Sequence, residues 1–244
     1  MAGEKEEELK ASDQRKYRKG VGKLLHLMRW TRPDIFNAVR EVSRFTGRAT
    51  AANMKQMHRT MKYCVDTKHR GLTLKPFGDW DGKDKNFEFE IVGMSDSDYA
   101  KDPSTRRSVN GWLTTLNGAP VSFKSKMMPI VALSVTEAEL FSATNCVQDM
   151  LQMMRLMESL GLKVKKPMIL RVDNKGAKDL MTNWSVGGRT RHINVKQYFI
   201  RDLKEAGLLK IEWTPTKDMT ADIFTKNLPA PLFEKHARVL LGEL

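Results

Sequence analysis

The chain has 244 residues, a formal net charge of +13 and two cysteines, enough for one large domain or two small ones with a core of ordinary size. No run of eighteen apolar residues occurs, so no membrane span is expected. Cys64 and Cys146 fit a reducing compartment and exclude a cysteine-rich zinc site, and the five histidines form no ligand-like pair.

Residues 1–19, beginning "MAGEKEEELKASDQRKYRK", lack the apolar core of a signal peptide. With Leu9 and Tyr17 as their large apolar groups, they read as a charged, flexible start. Residues 1–70 hold 17 Lys+Arg against 8 Asp+Glu, a surplus of 9 out of the net 13. Such a surplus points to a polyanionic partner, nucleic acid first, with a merely solubilising lysine surface as the alternative. Three helices are expected across residues 20–70. One spans roughly 20–30 on Val21, Leu24, Leu25, Leu27 and Met28. A second begins at Pro33, a favoured first helical residue, and a third follows Thr50, a plausible N-cap. Met54, Met57 and Met61 of the third recur at helical spacing, as core packing does.

From residue 71 to 244 the texture changes. "GLTLKP" reads as a short strand, and "FEFEIVGMSD" as a strand entering the middle of a sheet. "SVNGWLTTLNG" and "APVSFKSK" read as two strands of a hairpin turning at Asn117-Gly118. A long helix is expected at 136–160, a buried strand in "KPMILRVDN" and a short helix in "KGAKDLMTN". A helix at 192–206, a last strand in "LLKIEWTPT" and a helix at 220–241 complete an α/β pattern, a mixed sheet covered by helices.

Carboxylates sit at the ends of these elements. Asp96 closes the central strand and Asp173 another; Glu139 and Asp222 open helices. Ligands of open α/β sheets gather beyond strand ends, so these four could converge into an oxygen-rich site suited to Mg²⁺. Each has a structural alternative. Glu139 could close a capping box with Thr136, and Asp222 could complement a helix dipole. Asp173 could cap the helix that follows, and Asp98 or Asp102 could be turn acids.

"SDSDYAKDPSTRRSVNGW", "ALSVTEAELFSA", "VDNKGA", "TRHINVKQYFIRD" and "TADIFTKNLP" resemble, in order and spacing over roughly residues 70–235, the ribonuclease H domain of copia-type retrotransposon polyproteins. "GVGKLLHLMRWTRPDIFNAVREVSRF" is similar to the helical end of the reverse transcriptase upstream. The resemblance implies a ribonuclease H-like, mixed five-stranded sheet flanked by helices and preceded by a small helical segment. It places the metal carboxylates on Asp96, Glu139, Asp173 and Asp222, with Glu139 preferred over Glu137 and Asp96 over Asp98. It also implies two Mg²⁺ ions, with Mn²⁺ as substitute, and hydrolysis of the RNA strand of an RNA/DNA hybrid. The polymerase part of the same polyprotein would be a partner, in the cytoplasm or a virus-like particle, with the nucleus also open. Arg106, Arg107, Ser108, Lys124, Lys126, Asn174 and His192 are candidate nucleic-acid contacts, each also readable as an ordinary surface or turn residue. The sequence departs from the family pattern at Asn194, Leu140 and Phe141. The polymerase's paired aspartates are absent, so DNA synthesis by this chain alone is not expected. Two other readings stand beside this one: a binding module without catalysis, and a domain active only when joined to the polymerase.

Overall fold

The computed structural model describes residues 7–243 apart from Pro76, Asp79, Lys85 and 184–190; of residues 191–194 it describes the backbone. The chain divides into two compact units, Met1–Leu72 and Thr73–Leu244.

The first unit is helical: α1 (Ala11–Trp30), a 3₁₀ turn at Pro33–Ile35, α2 (Phe36–Ser43) and α3 (Ala51–Asp66). Residues 11–19, expected to be flexible, belong to α1. The reason is Tyr17, which extends the spacing of Val21, Leu24 and Met28 by one turn, is fully buried, and donates its hydroxyl to the Val42 carbonyl at 2.6 Å. Residues 1–6 of that stretch lie outside the described residues. Thr50 caps α3 in a capping box with Asn53, and Met57 packs into the core beside Tyr17 and Val39. A buried bidentate pair fixes the corner after α1: Arg32 donates to both oxygens of Asp34 at 2.9 and 2.7 Å, and Tyr63 donates to Asp34 at 2.8 Å.

The second unit contains β1 (Glu88–Phe89), β2 (Ile91–Asp98), β3 (Val109–Leu116), β4 (Ala119–Met127), α4 (Val135–Ser159), β5 (Lys163–Val164), β6 (Met168–Val172), α5 (Lys175–Thr182), α6 (Arg191–Glu205), β7 (Leu209–Trp213), α7 (Asp222–Thr225) and α8 (Ala230–Leu241). The main sheet has the order β4-β3-β2-β6-β7. β3 pairs antiparallel with both neighbours, while β2, β6 and β7 pair in parallel. Asn117 and Gly118 turn the β3–β4 hairpin with φ of 46° and 78°, the left-handed pair such a two-residue loop demands. β1 and β5 form a separate parallel pair.

α4 lays Leu140, Ala143, Val147, Met150 and Met154 on the sheet, against Ile91, Leu170 and Val172. Two expectations fail in this second unit. "GLTLKP" forms no strand among the described residues, because Thr73 donates instead to the Leu241 carbonyl at the end of α8. The expected helix at 220–241 is two, since Pro229 and Pro231 supply no N–H to continue it. Among the described residues, no helix is long and apolar enough to cross a membrane.

Candidate metal centre

β2 and β6 run in parallel side by side, so their C-terminal ends bring Asp96 and Asp173 to the same edge. The third acid arrives from α7, which crosses β3 closely. Gly111, the cross-strand partner of Asp96, has Thr225 Cγ2 at 2.6 Å and Phe224 Cβ at 2.8 Å from where a Cβ would stand. That close approach brings Asp222 to the strand ends, and carboxylate oxygens of Asp96, Asp173 and Asp222 lie within 4.8 Å of one another. Asp96 and Asp222 are each 1% exposed.

Glu139 comes from α4, two residues further into the helix than a Thr136 cap would put it. The cap of α4 is Ser134, whose hydroxyl accepts from the Glu137 N–H at 3.1 Å, while the Glu137 carboxylate accepts from the Leu133 N–H at 2.6 Å. Glu137 therefore serves the helix end, and Glu139 is free for another role. It is buried against β2, where Oε1 accepts from Ser97 Oγ at 2.9 Å and from the Ser97 N–H at 3.3 Å; Oε2 has no hydrogen-bond partner.

Three of the carboxylates share a pattern: a neighbouring hydroxyl holds one oxygen of each. Thr225 donates to Asp96 Oδ2, Ser97 to Glu139 Oε1, and Thr216 to Asp173 Oδ2 at 2.9 Å. Trp213 further steadies Asp173 by donating its indole N–H to the backbone carbonyl at 2.9 Å. Lys226 lies 3.2 Å from Asp222 Oδ1 and 3.5 Å from Asp96 Oδ1. Orientation of ligands by such neighbours is characteristic of metal sites.

Electrostatics follows from crowding acids out of water. Burial, then Asp96 and Asp173, push the Glu139 carboxyl well above its ordinary range. Burial raises Asp96 too, against the opposing pull of Lys226 and Thr225. Asp222 is pushed up to about 8, by burial first and Asp96 second. Burial disfavours the Lys226 ammonium, yet Asp96 and Asp222 outweigh that and raise its pKa. A set of acids that resists ionising together is one that a divalent cation would relieve.

The residues fit such a cation. All donors are hard oxygens, two of them (Glu139 Oε2 and Asp222 Oδ1) are buried and accept no hydrogen bond, and the Asp96, Asp173 and Asp222 oxygens lie within 4.8 Å of one another, a separation compatible with the about 4.2 Å between opposed ligands of Mg²⁺.

Other candidates fall differently. Asp98 is partly exposed and paired with Lys101 at 2.8 Å. Asp102 is a turn acid, its Oδ1 accepting from the Ser104 and Thr105 N–H groups at 3.0 and 2.7 Å. Asn174, not Asp173, caps α5, accepting from the Ala177 N–H at 2.8 Å. Ser108 is fully buried and its hydroxyl accepts from the Ala100 N–H at 3.0 Å, so it faces the protein. Arg106 and Arg107 are exposed on the adjoining turn. Lys124 and Lys126 are exposed on β4; Lys126 pairs across the sheet with Asn110, and Asn110 with Ser97, which sets it on the Glu139 face. The His192 and Asn194 side chains lie outside the described residues. Sequence reasoning passed over Thr225 and Lys226, although Asp222 and Lys226 stand four residues apart, a spacing at which opposite charges meet.

Acids converging at the ends of β2 and β6, on a sheet of this order and these directions, define a ribonuclease H-like domain. No protein-family model matches the chain. Over 228 residues it is 32% identical to the retrovirus-related Pol polyprotein from transposon RE1 of Arabidopsis thaliana, covering 93% of this chain and 15% of that one. Over 218 residues it is 34% identical to the corresponding polyprotein from transposon TNT 1-94 of Nicotiana tabacum, covering 89% of this chain and 16% of that one. The chain belongs to the copia-type, retrovirus-related Pol polyproteins, as a segment spanning about a sixth of the length of these relatives. Among solved structures, LC11-RNase H1 in complex with RNA/DNA hybrid is similar with a TM-score of 0.43 and 14% identity, covering 56% of this chain and 94% of that one.

Proposed function

We propose that the second unit hydrolyses the RNA strand of RNA/DNA hybrids with Mg²⁺ or Mn²⁺, as the nuclease segment of a retrotransposon polyprotein. The observation that carries this reading is the gathering of Asp96, Asp173 and Asp222 at the strand ends; Glu139, buried with one oxygen unpartnered, supports it. These four would hold the cations, which when bound polarise the scissile phosphate and lower the cost of ionising water.

The chain's own residues set the stage for that chemistry. Thr225, Ser97 and Thr216 fix one oxygen each of Asp96, Glu139 and Asp173, so their other oxygens face the site without a search among rotamers. Lys226 supplies countercharge to Asp96 and Asp222. In the reaction, water oxygen bonds to phosphorus, the bond from phosphorus to O3′ breaks, and O3′ takes a proton, leaving 3′-hydroxyl and 5′-phosphate ends. Arg106, Arg107 and Lys126 would meet phosphates and set register, with selection for RNA coming from groove shape and 2′-hydroxyl contacts.

The test is cleavage of a uniformly labelled hybrid by the whole chain. Cutting of the RNA strand in Mg²⁺, abolished by EDTA and absent on duplex DNA of the same sequence, is expected. Cutting that survives EDTA, or that treats duplex DNA equally, overturns the reading. Activity that appears only when the polymerase segment is joined favours a domain that needs that partner, consistent with the small share of the relatives that the chain spans.

A further inference from the structure

We propose that Lys226 is a resident counter-cation of the metal centre: its ammonium faces the oxygens available to a metal ion and has to withdraw when the ion arrives. The inference rests on the reading of these acids as cation ligands. Two oxygens of the centre are not committed to a hydroxyl. Thr225 takes Asp96 Oδ2, which leaves Oδ1, and Asp222 Oδ1 is buried without a hydrogen-bond partner. These are the two oxygens that Lys226 Nζ faces, at 3.5 and 3.2 Å.

The ammonium is held there by charge more than by bonds. Hydrogen bonds from an ammonium to a carboxylate run about 2.7–2.9 Å. Other lysines of the chain reach that range: Lys62 lies 2.7 Å from Asp66, Lys166 2.7 Å from Glu158 and Lys101 2.8 Å from Asp98. Lys226 makes one long bond, to Asp96 Oδ1, and its contact with Asp222 Oδ1 is no hydrogen bond. A lysine that served to orient Asp222 would close on one oxygen at the shorter distance. Standing between two carboxylates at longer range spreads its charge over both, which relieves buried acids that repel each other. Lys226 follows the last residue of α7 and has left helical φ and ψ, at −136° and 161°. Its side chain is 32% exposed, so the ammonium can swing into water while α7 stays in place.

The consequence is competition. A divalent cation drawn to Asp96 and Asp222 meets a like charge already seated on the same oxygens, and that repulsion subtracts from its affinity. An outer partner that steadied a ligand would add to affinity, and its loss would cost about 10–100-fold. The two roles give opposite signs for one substitution.

The experiment measures binding of Mn²⁺ alone to the whole chain, followed by the electron paramagnetic resonance of the free ion, with no nucleic acid and no cleavage involved. Lys226→Met keeps a long stem and removes the charge. Affinity should rise about tenfold, the order of repulsion from one charge a few ångströms away in a partly buried site. Lys226→Arg brings a planar fork of donors that grips carboxylates more firmly, and should lower affinity. Lys166→Met removes the same charge just before β6, at the other end of that strand from Asp173, and should leave affinity unchanged. In the unmodified chain, acetylation of Lys226, read by mass spectrometry against that of Lys166, should quicken severalfold when Mg²⁺ replaces EDTA. That readout needs no variant to fold. Weaker Mn²⁺ binding by Lys226→Met, or slower acetylation of Lys226 in Mg²⁺, overturns this inference and leaves the metal centre standing. Failure of the unmodified chain to bind Mn²⁺ overturns both.

Discussion

Glu139 and Glu137 stand two residues apart on α4 and do opposite work. Glu137 closes the helix end and gains from being able to accept a hydrogen bond; Gln can do the same. Glu139 is buried among other acids with Oε2 unpartnered, where Gln keeps the shape and removes the charge a cation needs. Glu139→Gln should therefore shift metal-free stability by no more than about 0.5 kcal/mol, or raise it. Cleavage should fall more than the 10–100-fold typical of losing an outer partner of a metal site. Glu137→Gln should retain activity. Calorimetry and hybrid cleavage on both variants check this, and a reversed pattern exchanges the two roles. The choice between them was legible in sequence only through family resemblance. Spacing alone equally allowed Thr136 as the cap with Glu139 as its partner, and a cap is decided by which residue leaves helical φ and ψ, here Ser134 at −150° and 162°. Lys226 shows the reverse case. Its spacing from Asp222 was visible, but its approach to Asp96 depends on α7 crossing β3, which no local pattern encodes.

At the scale of elements, that crossing is what assembles the centre. A methyl group at residue 111 would meet Thr225 Cγ2, Phe224 Cβ and the Ala221 carbonyl within 3.0 Å, atoms fixed to the backbone of α7. At residue 93 it would meet Met150 Sδ at 2.4 Å and Cys146 Sγ at 2.7 Å, and the Met150 side chain can swing aside. Gly111→Ala should cost about 1–3 kcal/mol, as overpacking does, and should weaken Mg²⁺ binding measured by titration calorimetry. Gly93→Ala should leave that binding near the unmodified value. Equal losses would mean that α7 does not set the position of Asp222. Elements were otherwise well foretold where periodicity ran long or a turn had its own chemistry, as in α4 and at Asn117-Gly118. They were misjudged where one residue outweighed composition: Tyr17 extends α1 into a charged stretch, and Pro229 divides the last helix.

For the whole molecule, the crowded acids make stability depend on pH with a definite sign. Asp222 titrates near 3.8 when unfolded and is pushed up to about 8 when folded. Between those values the folded chain keeps a proton that the unfolded chain has given up, so stability falls as pH rises through this window and levels off above it. Asp96 and Glu139, both raised, act in the same direction. Buried His236, lowered to about 4, opposes this trend below about pH 6.5, so in EDTA the melting midpoint should decline most clearly from about pH 6.5 to about pH 8. Mg²⁺ at 100 times its dissociation constant should return about 2.7 kcal/mol at the upper end, and Asp96→Asn should abolish most of that return. A midpoint that climbs with pH in EDTA, or that ignores Mg²⁺, contradicts the electrostatics described above.

The two cysteines have a consequence for following this molecule in time. Cys64 lies on α3 in the first unit, partly buried; Cys146 lies on α4 in the second, fully buried between the Met94 and Leu113 carbonyls. Burial raises both thiols and so suppresses the thiolate that alkylating reagents attack. Cys146 can react only when α4 lifts from the sheet, while Cys64 answers to motions of its own helix. Each unit thus carries one natural clock. Two modification rates, resolved by mass spectrometry on the unaltered chain, would time the breathing of the helical unit and of the nuclease unit separately, and added Mg²⁺ should slow the second while leaving the first to run.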